Sequence, residues 1–152
     1  MQRQTTIAKK SDVSNKTWYL VDAKDLPIGR IASEVAMILM GKNKSNYTPN
    51  LDCGDYVVVI NAKHVKFSGK KLTDKKYYNV SGYNGGLRTR TAQEMLDNYP
   101  EELFRRTVWG MLPKGPLGRQ MLRKLYVYAE DKHNQEAQKP IAYTPRYLGG
   151  NK

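Results

Sequence analysis

At 152 residues, 39% of them hydrophobic, the chain is long enough for one domain with its own core, whereas two domains would each be marginal. Its formal net charge of +12 favours a polyanionic partner, and its longest apolar runs, Val35–Met40 and Tyr56–Ile60, fall far short of the roughly 20 residues that span a bilayer. A lone cysteine, Cys53, excludes an internal disulfide and the basic N-terminus lacks the apolar segment of a secretory signal, so a soluble, cytoplasmic protein is expected.

Residues 1–16 are polar and basic without usable periodicity and are expected to form an extended arm. Thr17–Asp22 reads as a buried strand. After a turn at Ala23–Leu26, the positions Ile28, Ile31, Ala32, Val35, Ile38 and Leu39 follow helical spacing and predict a helix of about three turns. Asp25 is its expected N-cap, Pro27 lies in its first turn and Gly41 supplies the stop. Lys42–Gly54 is a polar loop, and the continuous β-branched run Tyr56–Ile60 predicts a strand covered on both faces. Strand, helix and strand in that order predict a βαβ unit. Residues 63–90 carry lysines and tyrosines among small residues and predict a ragged hairpin followed by an exposed loop.

Thr91 and Glu94 form a capping-box pattern for a short helix that ends before Pro100. Glu101 and Glu102 then fall in the first turn of another helix, where acids complement the dipole. Its inward stripe is Leu103, Phe104, Thr107, Val108, Met111 and Leu112. Pro113–Pro116 breaks the chain, a short helix follows, and Leu125–Ala129 reads as a final strand. From Lys139 onward, two prolines and a Gly-Gly pair predict a tail that orders on a partner, if at all. The expected organisation is a single domain over 1–152, with a basic arm at 1–16, an α/β core at 17–138 bearing an exposed basic loop at 63–90, and a tail at 139–152.

Two blocks account for the charge. Lys63–Arg90 holds eight Lys/Arg against one acid, and Arg105–Lys124 holds six against none, while the remainder nearly cancels. Segregation of this kind points to phosphate binding, since a concentrated positive field releases the counterions of a nucleic acid. Lys66, Lys70, Lys71, Lys75 and Lys76 supply point charges, and Arg88 and Arg90 supply fork donors. Tyr77, Tyr78 and Tyr83 either stack on unpaired bases or pack in the core. Arg105, Arg106 and Trp109 fall off the apolar stripe of their helix, and Lys114, Arg119, Arg123 and Lys124 complete the second block. No helix-turn-helix, zinc-finger or RRM signature is present, so the expected binding follows RNA shape and backbone.

Enzymatic readings find little support. There is no G-x-x-x-x-G-K-[ST] loop and no G-x-G-x-x-G after a strand. Gly82–Gly86 precedes an arginine-bearing segment and is either a flexible turn or an RNA-backbone contact. His64 and His133 lie far apart and in no metal spacing with Cys53. Asp52 and Asp55 either do acid–base work, hold Mg²⁺, or cap a turn and a strand start, and they make Cys53 between them a poor nucleophile. No catalytic residue, metal ligand, cofactor, membrane or small-molecule substrate is expected. The alternatives are a small α/β enzyme acting on a nucleotide or phosphorylated substrate, which would need a phosphate loop or a catalytic set, and a general RNA chaperone or regulatory RNA binder.

The segment GMLPKGPLGR at 110–119 resembles the signature of the bacterial-type large-subunit ribosomal protein of the L-thirteen family. WYLVDA at 18–23, LPIGRIASEVA at 26–36, Gly41-Lys42, Tyr47-Thr48-Pro49, GDYVVVINA at 54–62, SGYNGGLRTRT at 81–91, LYVYA at 125–129 and Ala137-Gln138 resemble further blocks of that family in the same order. Asn84, where the family often has proline, and Gln135, where it often has a second histidine, depart from the pattern. The resemblance implies a three-layer α/β domain with a mainly parallel sheet of about four strands flanked by helices. It further implies a non-enzymatic constituent of the large subunit that binds ribosomal RNA, lies among neighbouring ribosomal proteins and supports early assembly.

Overall fold

Parallel pairing dominates the central sheet, and the order of elements along the chain explains it. The computed structural model describes residues 8–13 and 15–145. Strand β1 (Trp18–Asp22) leads through helix α1 (Ile28–Met40) to strand β2 (Tyr56–Ile60), which pairs parallel with β1 from Trp18↔Tyr56 to Asp22↔Ile60. Parallel neighbours need a long crossover to bring the chain back, and α1 with its flanking loops is that crossover. Strand β5 (Leu125–Val127) joins β2 and strand β6 (Ile141–Ala142) joins β1, both parallel, giving the order β5-β2-β1-β6. The α/β class, with a parallel four-stranded sheet flanked by helices, is as the sequence predicts.

Side chains alternate across a sheet, so each strand feeds two faces. Val21, Val57, Val59 and Leu125 share one side and pack with Ile31, Val35 and Leu39 of α1 in the main core. Val58 points the other way and is equally sealed from solvent, as the unbroken β-branched run of β2 requires. On that second side Trp18 stacks on Tyr56 with ring centroids 4.3 Å apart, and on Tyr126 at 5.5 Å.

The two ends of α1 differ. At its C-terminus Gly41 adopts φ 82°, its N–H reaches the Ile38 carbonyl and the Lys42 N–H reaches that of Met37, closing the helix. A Cβ on Gly54 would lie 1.8 Å from the Leu39 carbonyl oxygen, so the backbone leading into β2 can pass the helix end only as glycine. At the N-terminus the expected cap fails. Pro27 itself occupies the cap position without a side-chain bond, and Asp25 sits in a left-handed turn with φ 60°. Proline drives the residue before it away from helical angles, so the helix begins only after Leu26, too late for Asp25 to cap it.

After β2 the chain leaves the sheet. A 3-10 turn at Ala62–His64 and a single parallel bridge between Pro27 and Lys66 lead to the one-turn helix α2 (Lys71–Asp74). Strands β3 (Lys76–Val80) and β4 (Leu87–Thr91) then pair as an antiparallel hairpin. The exposed loop expected after a hairpin is instead the hairpin's own connection: the Gly86 N–H reaches the Tyr83 carbonyl and the Ser81 N–H that of Gly86.

Helix α3 (Ala92–Asn98) starts with the predicted capping box, the Glu94 N–H on Thr91 Oγ1 at 3.2 Å and the Thr91 N–H on Glu94 Oε2 at 3.1 Å. Helix α4 (Pro100–Met111) places Glu101 and Glu102 in its first turn and buries Leu103, Phe104 and Val108, with Leu112 buried just beyond it. Met111 departs from the expected stripe at 40% exposure, because the last turn of α4 passes beyond the core to the wall of an open cleft. Helix α5 (Pro116–Leu122) leads directly into β5.

Both termini are more engaged than expected. Lys10–Val13 forms a 3-10 turn and Val13 is buried, so residues 8–13 are not simply extended; residues 1–7 lie outside the described residues. Within the expected tail, β6 covers the free edge of β1, the Tyr143 N–H bonds the Leu20 carbonyl at 2.8 Å and the Tyr143 ring meets Tyr19 edge-on. An uncovered edge would leave β1 with a row of unpaired backbone groups, which explains why a two-residue strand forms here. Residues 146–152 lie outside the described residues.

Candidate nucleic-acid interface

The period of two along β3 and β4 gives the hairpin two chemically distinct faces. Register pairs Tyr77 with Arg90 and Asn79 with Arg88 on one face, and Tyr78 with Thr89 and Val80 with Leu87 on the other. Arg90 lies over the Tyr99 ring at 4.6 Å, while Arg88 is exposed. The tyrosines divide as well. Tyr78 and Tyr83 are 59% and 82% exposed and free to meet a base, whereas Tyr77 packs against the core and its hydroxyl is buried without a partner.

Lys70, Lys71, Lys75 and Lys76 surround α2, all exposed, and among the described residues none has a carboxylate within ion-pair distance. Lys71 donates to Ser68 Oγ at 3.0 Å and Lys75 lies 5.3 Å from the Tyr77 ring centre. Lys66 is paired with Asp25 at 2.9 Å, and its hydrogen bond and charge hold the Asp25 carboxyl below its ordinary 3.8. Both partners are mostly exposed, so a phosphate can compete for Lys66 at little cost.

The second block is less uniform. Arg105, Arg119 and Arg123 are exposed and have no carboxylate partner among the described residues. Arg106 Nε binds Glu102 at 2.8 Å one turn back, and its Nη1 donates to the Tyr78 carbonyl at 3.4 Å, tying α4 to the hairpin. Trp109 is half-buried against the core, and Lys114 folds back over it, 4.5 Å from the ring centre and 2.6 Å from the Trp109 carbonyl.

Lys124 must be withdrawn from the surface set. Its side chain is 5% exposed and donates to Asp52 Oδ1 at 2.5 Å and to the Leu39 carbonyl at 3.1 Å. Burial pushes its ammonium below the ordinary 10.5, and Asp52 offsets only part of that. Lys16 takes the other Asp52 oxygen at 2.7 Å. Burial alone would raise the Asp52 carboxyl, but the two lysines outweigh it and hold the group below 3.8. Asp55, fully buried, accepts the Thr17 N–H at 2.9 Å and Lys44 Nζ at 2.6 Å. Asp55 thus holds a backbone N–H ahead of β1, the strand-start role among the alternatives the sequence left open, whereas Asp52 bonds two lysines of the protein itself. Cys53 between them is fully buried.

The histidines stay apart. His64 is exposed, while His133 Nδ1 accepts the Gln135 N–H at 3.2 Å and Gln135 in turn accepts the Tyr128 hydroxyl at 2.7 Å. The sequence reading missed Arg30, exposed in the first turn of α1 and beside the lysines of α2. Its position off the apolar stripe of that helix was the available signal.

The family model of ribosomal protein L13 matches residues 16–134, from the start of β1 past the end of β5. The chain is 56% identical over 144 residues to large ribosomal subunit protein uL13 of Geobacillus kaustophilus, an alignment covering 95% of this chain and 99% of that protein. It is 51% identical over 144 residues to the protein of that name from Listeria innocua, with the same coverage, and 50% over 140 residues to that of Ureaplasma urealyticum, covering 92% and 95%.

Proposed function

We infer the function from one premise: the chain belongs to the ribosomal protein L13 family. It is a structural, non-enzymatic constituent of the large ribosomal subunit in the cytoplasm, and its principal partner is large-subunit ribosomal RNA. The observation that carries the RNA reading is the division of the cations. Lys16, Lys44 and Lys124 are consumed by internal carboxylates, while Lys70, Lys71, Lys75, Lys76, Arg88, Arg105, Arg119 and Arg123 are exposed and have none among the described residues.

Those unpaired charges offset the repulsion between RNA segments that fold against one another, which is how the protein supports early assembly. Lys66, Arg90, Arg106, Lys114 and Trp109 line the same surfaces in already partnered conformations, and Tyr78 and Tyr83 offer rings for stacking. Neighbouring large-subunit proteins are the other partners. Val80 and Leu87, exposed together on the hairpin face away from Arg88, suit an apolar protein surface and offer a phosphate nothing.

Sucrose-gradient sedimentation of a lysate, before and after a high-salt wash, tests the assignment. Stoichiometric retention in the large subunit is expected. Migration with free protein at the top of the gradient would refute it.

A further inference from the structure

We propose that the cleft between the start of α1 and α2 receives one unstacked nucleotide of the bound RNA, the base within the cleft and its phosphates on the rim. The proposal rests on the RNA-binding reading and gives one part of that surface a specific occupant. The cleft has a volume of about 1030 Å³, ample for a nucleotide. Pro27, Ile28, Phe67 and Met111 supply its apolar lining. Arg30, Lys66, Lys70, Lys71 and Lys75 ring it, against Asp74 as the single acid. A flat apolar group joined to an anion matches both halves of this lining, whereas an acidic peptide would use only the rim.

Two details strengthen the fit. Met111 sits on the wall at 40% exposure although helical spacing directs it inward, and a thioether is a soft surface for a planar ring. Gly29 lies in the first turn of α1, where nothing in the fold demands glycine: an added Cβ would meet no atom within 4 Å. Glycine is a poor helix former, so its presence there calls for a reason. Gly29 itself lines the cleft, so a larger side chain there would take up space at its wall.

Gly29→Leu in the full chain is therefore a test that spares the fold. The probe is in-vitro-transcribed large-subunit rRNA, read by filter binding across a salt series and by chemical probing of ribose flexibility. The wild type should make one nucleotide hyper-reactive on binding. The variant should lose that signature and bind about tenfold more weakly, the scale of one stacked base, with an unchanged salt slope. Lys70→Ala should instead make the slope shallower by about 0.7–0.9. Wild-type affinity and footprint in Gly29→Leu would overturn the proposal. So would unchanged RNA binding together with loss of a neighbouring protein from reconstituted subunits, which would assign the cleft to a protein segment. Failure of the wild type itself to bind the transcript would instead strike at the RNA-binding reading.

Discussion

Replacing Lys70, Lys71, Lys75 and Lys76 together with alanine should change the salt dependence of RNA binding and little else. Each phosphate contact contributes about 0.7–0.9 to the log–log slope, so a rise from 50 to 200 mM salt weakens binding by about threefold per contact. If each of the four lysines neutralises one phosphate, the variant's slope is shallower by about 3. Its loss of affinity over that interval is then smaller than the wild type's by on the order of 100-fold. The fold should not notice. Among the described residues no carboxylate pairs with any of the four, so their removal orphans no such charge, and Lys71 and Lys75, which reach Ser68 and the Tyr77 ring, are themselves exposed. Together these are worth about 1 kcal/mol at most. The assay is filter binding to in-vitro-transcribed large-subunit rRNA at five or more salt concentrations, with a thermal melt of each protein. A wild-type slope in the quadruple variant would remove these lysines from the interface and refute the reasoning from unpaired charge.

Lys124→Ala should behave in the opposite way, leaving the salt slope at its wild-type value and lowering stability. Breaking a buried pair typically costs about 3–5 kcal/mol, and Lys16 on the second Asp52 oxygen should hold the loss near about 2–3 kcal/mol in urea titrations. Val58→Asp buries an unpaired charge in the middle of β2, so circular dichroism should find no cooperative melt; a wild-type melt would show the strand to be wrongly placed. Because Asp52 is held below 3.8, its contribution to stability is complete above that value and lost as pH falls through its folded-state value. The wild type should therefore lose more unfolding free energy than Asp52→Asn between pH 7 and pH 3, and equal losses would count against the linkage.

Features encoded by neighbouring residues were legible in the sequence. The apolar stripe of α1, its glycine stop, the Thr91–Glu94 capping box and the acids opening α4 all involve residues within a turn or two of one another, and each forms as expected. Apart from the failed Asp25 cap and the overlooked Arg30, whose causes are local, what escaped depends on distant partners or on where the core ends. Lys124 closes a run of surface cations but points inward, toward an aspartate 72 residues earlier in the chain. The clue was at the other end of the pair, in acids placed beside the start of a buried strand. Strand β6 is too short to show a period and exists because β1 needs an edge partner. Met111 obeys the helical repeat, yet the repeat outlasts the core and carries it into the cleft. Of the sixteen proposed RNA-contact residues, geometry removed Lys124 and found Lys66 and Arg106 already ion-paired.

The direction of the strands explains why lysines serve two purposes in one small protein. Thr17, Asp55 and Lys124 immediately precede β1, β2 and β5, so the parallel sheet brings all three to the amino ends of its strands. The last turn of α1 ends there too, and Lys124 meets the Leu39 carbonyl where the helix dipole favours a cation. Internal pairing at that end locks the sheet to its first helix. The chain leaves the carboxyl ends of β1 and β2 to build the start of α1 and the excursion through α2 and the hairpin. In open parallel sheets those carboxyl ends are where ligands bind. Neutralising the lysines of the excursion with local acids would steady surface loops at the cost of the field that attracts RNA. Concentrating the buried pairs at the amino ends allows the lysines around α2 to stay unpaired without weakening the core. A stability loss in the quadruple lysine variant as large as that in Lys124→Ala would show that the two ends are not separated in this way.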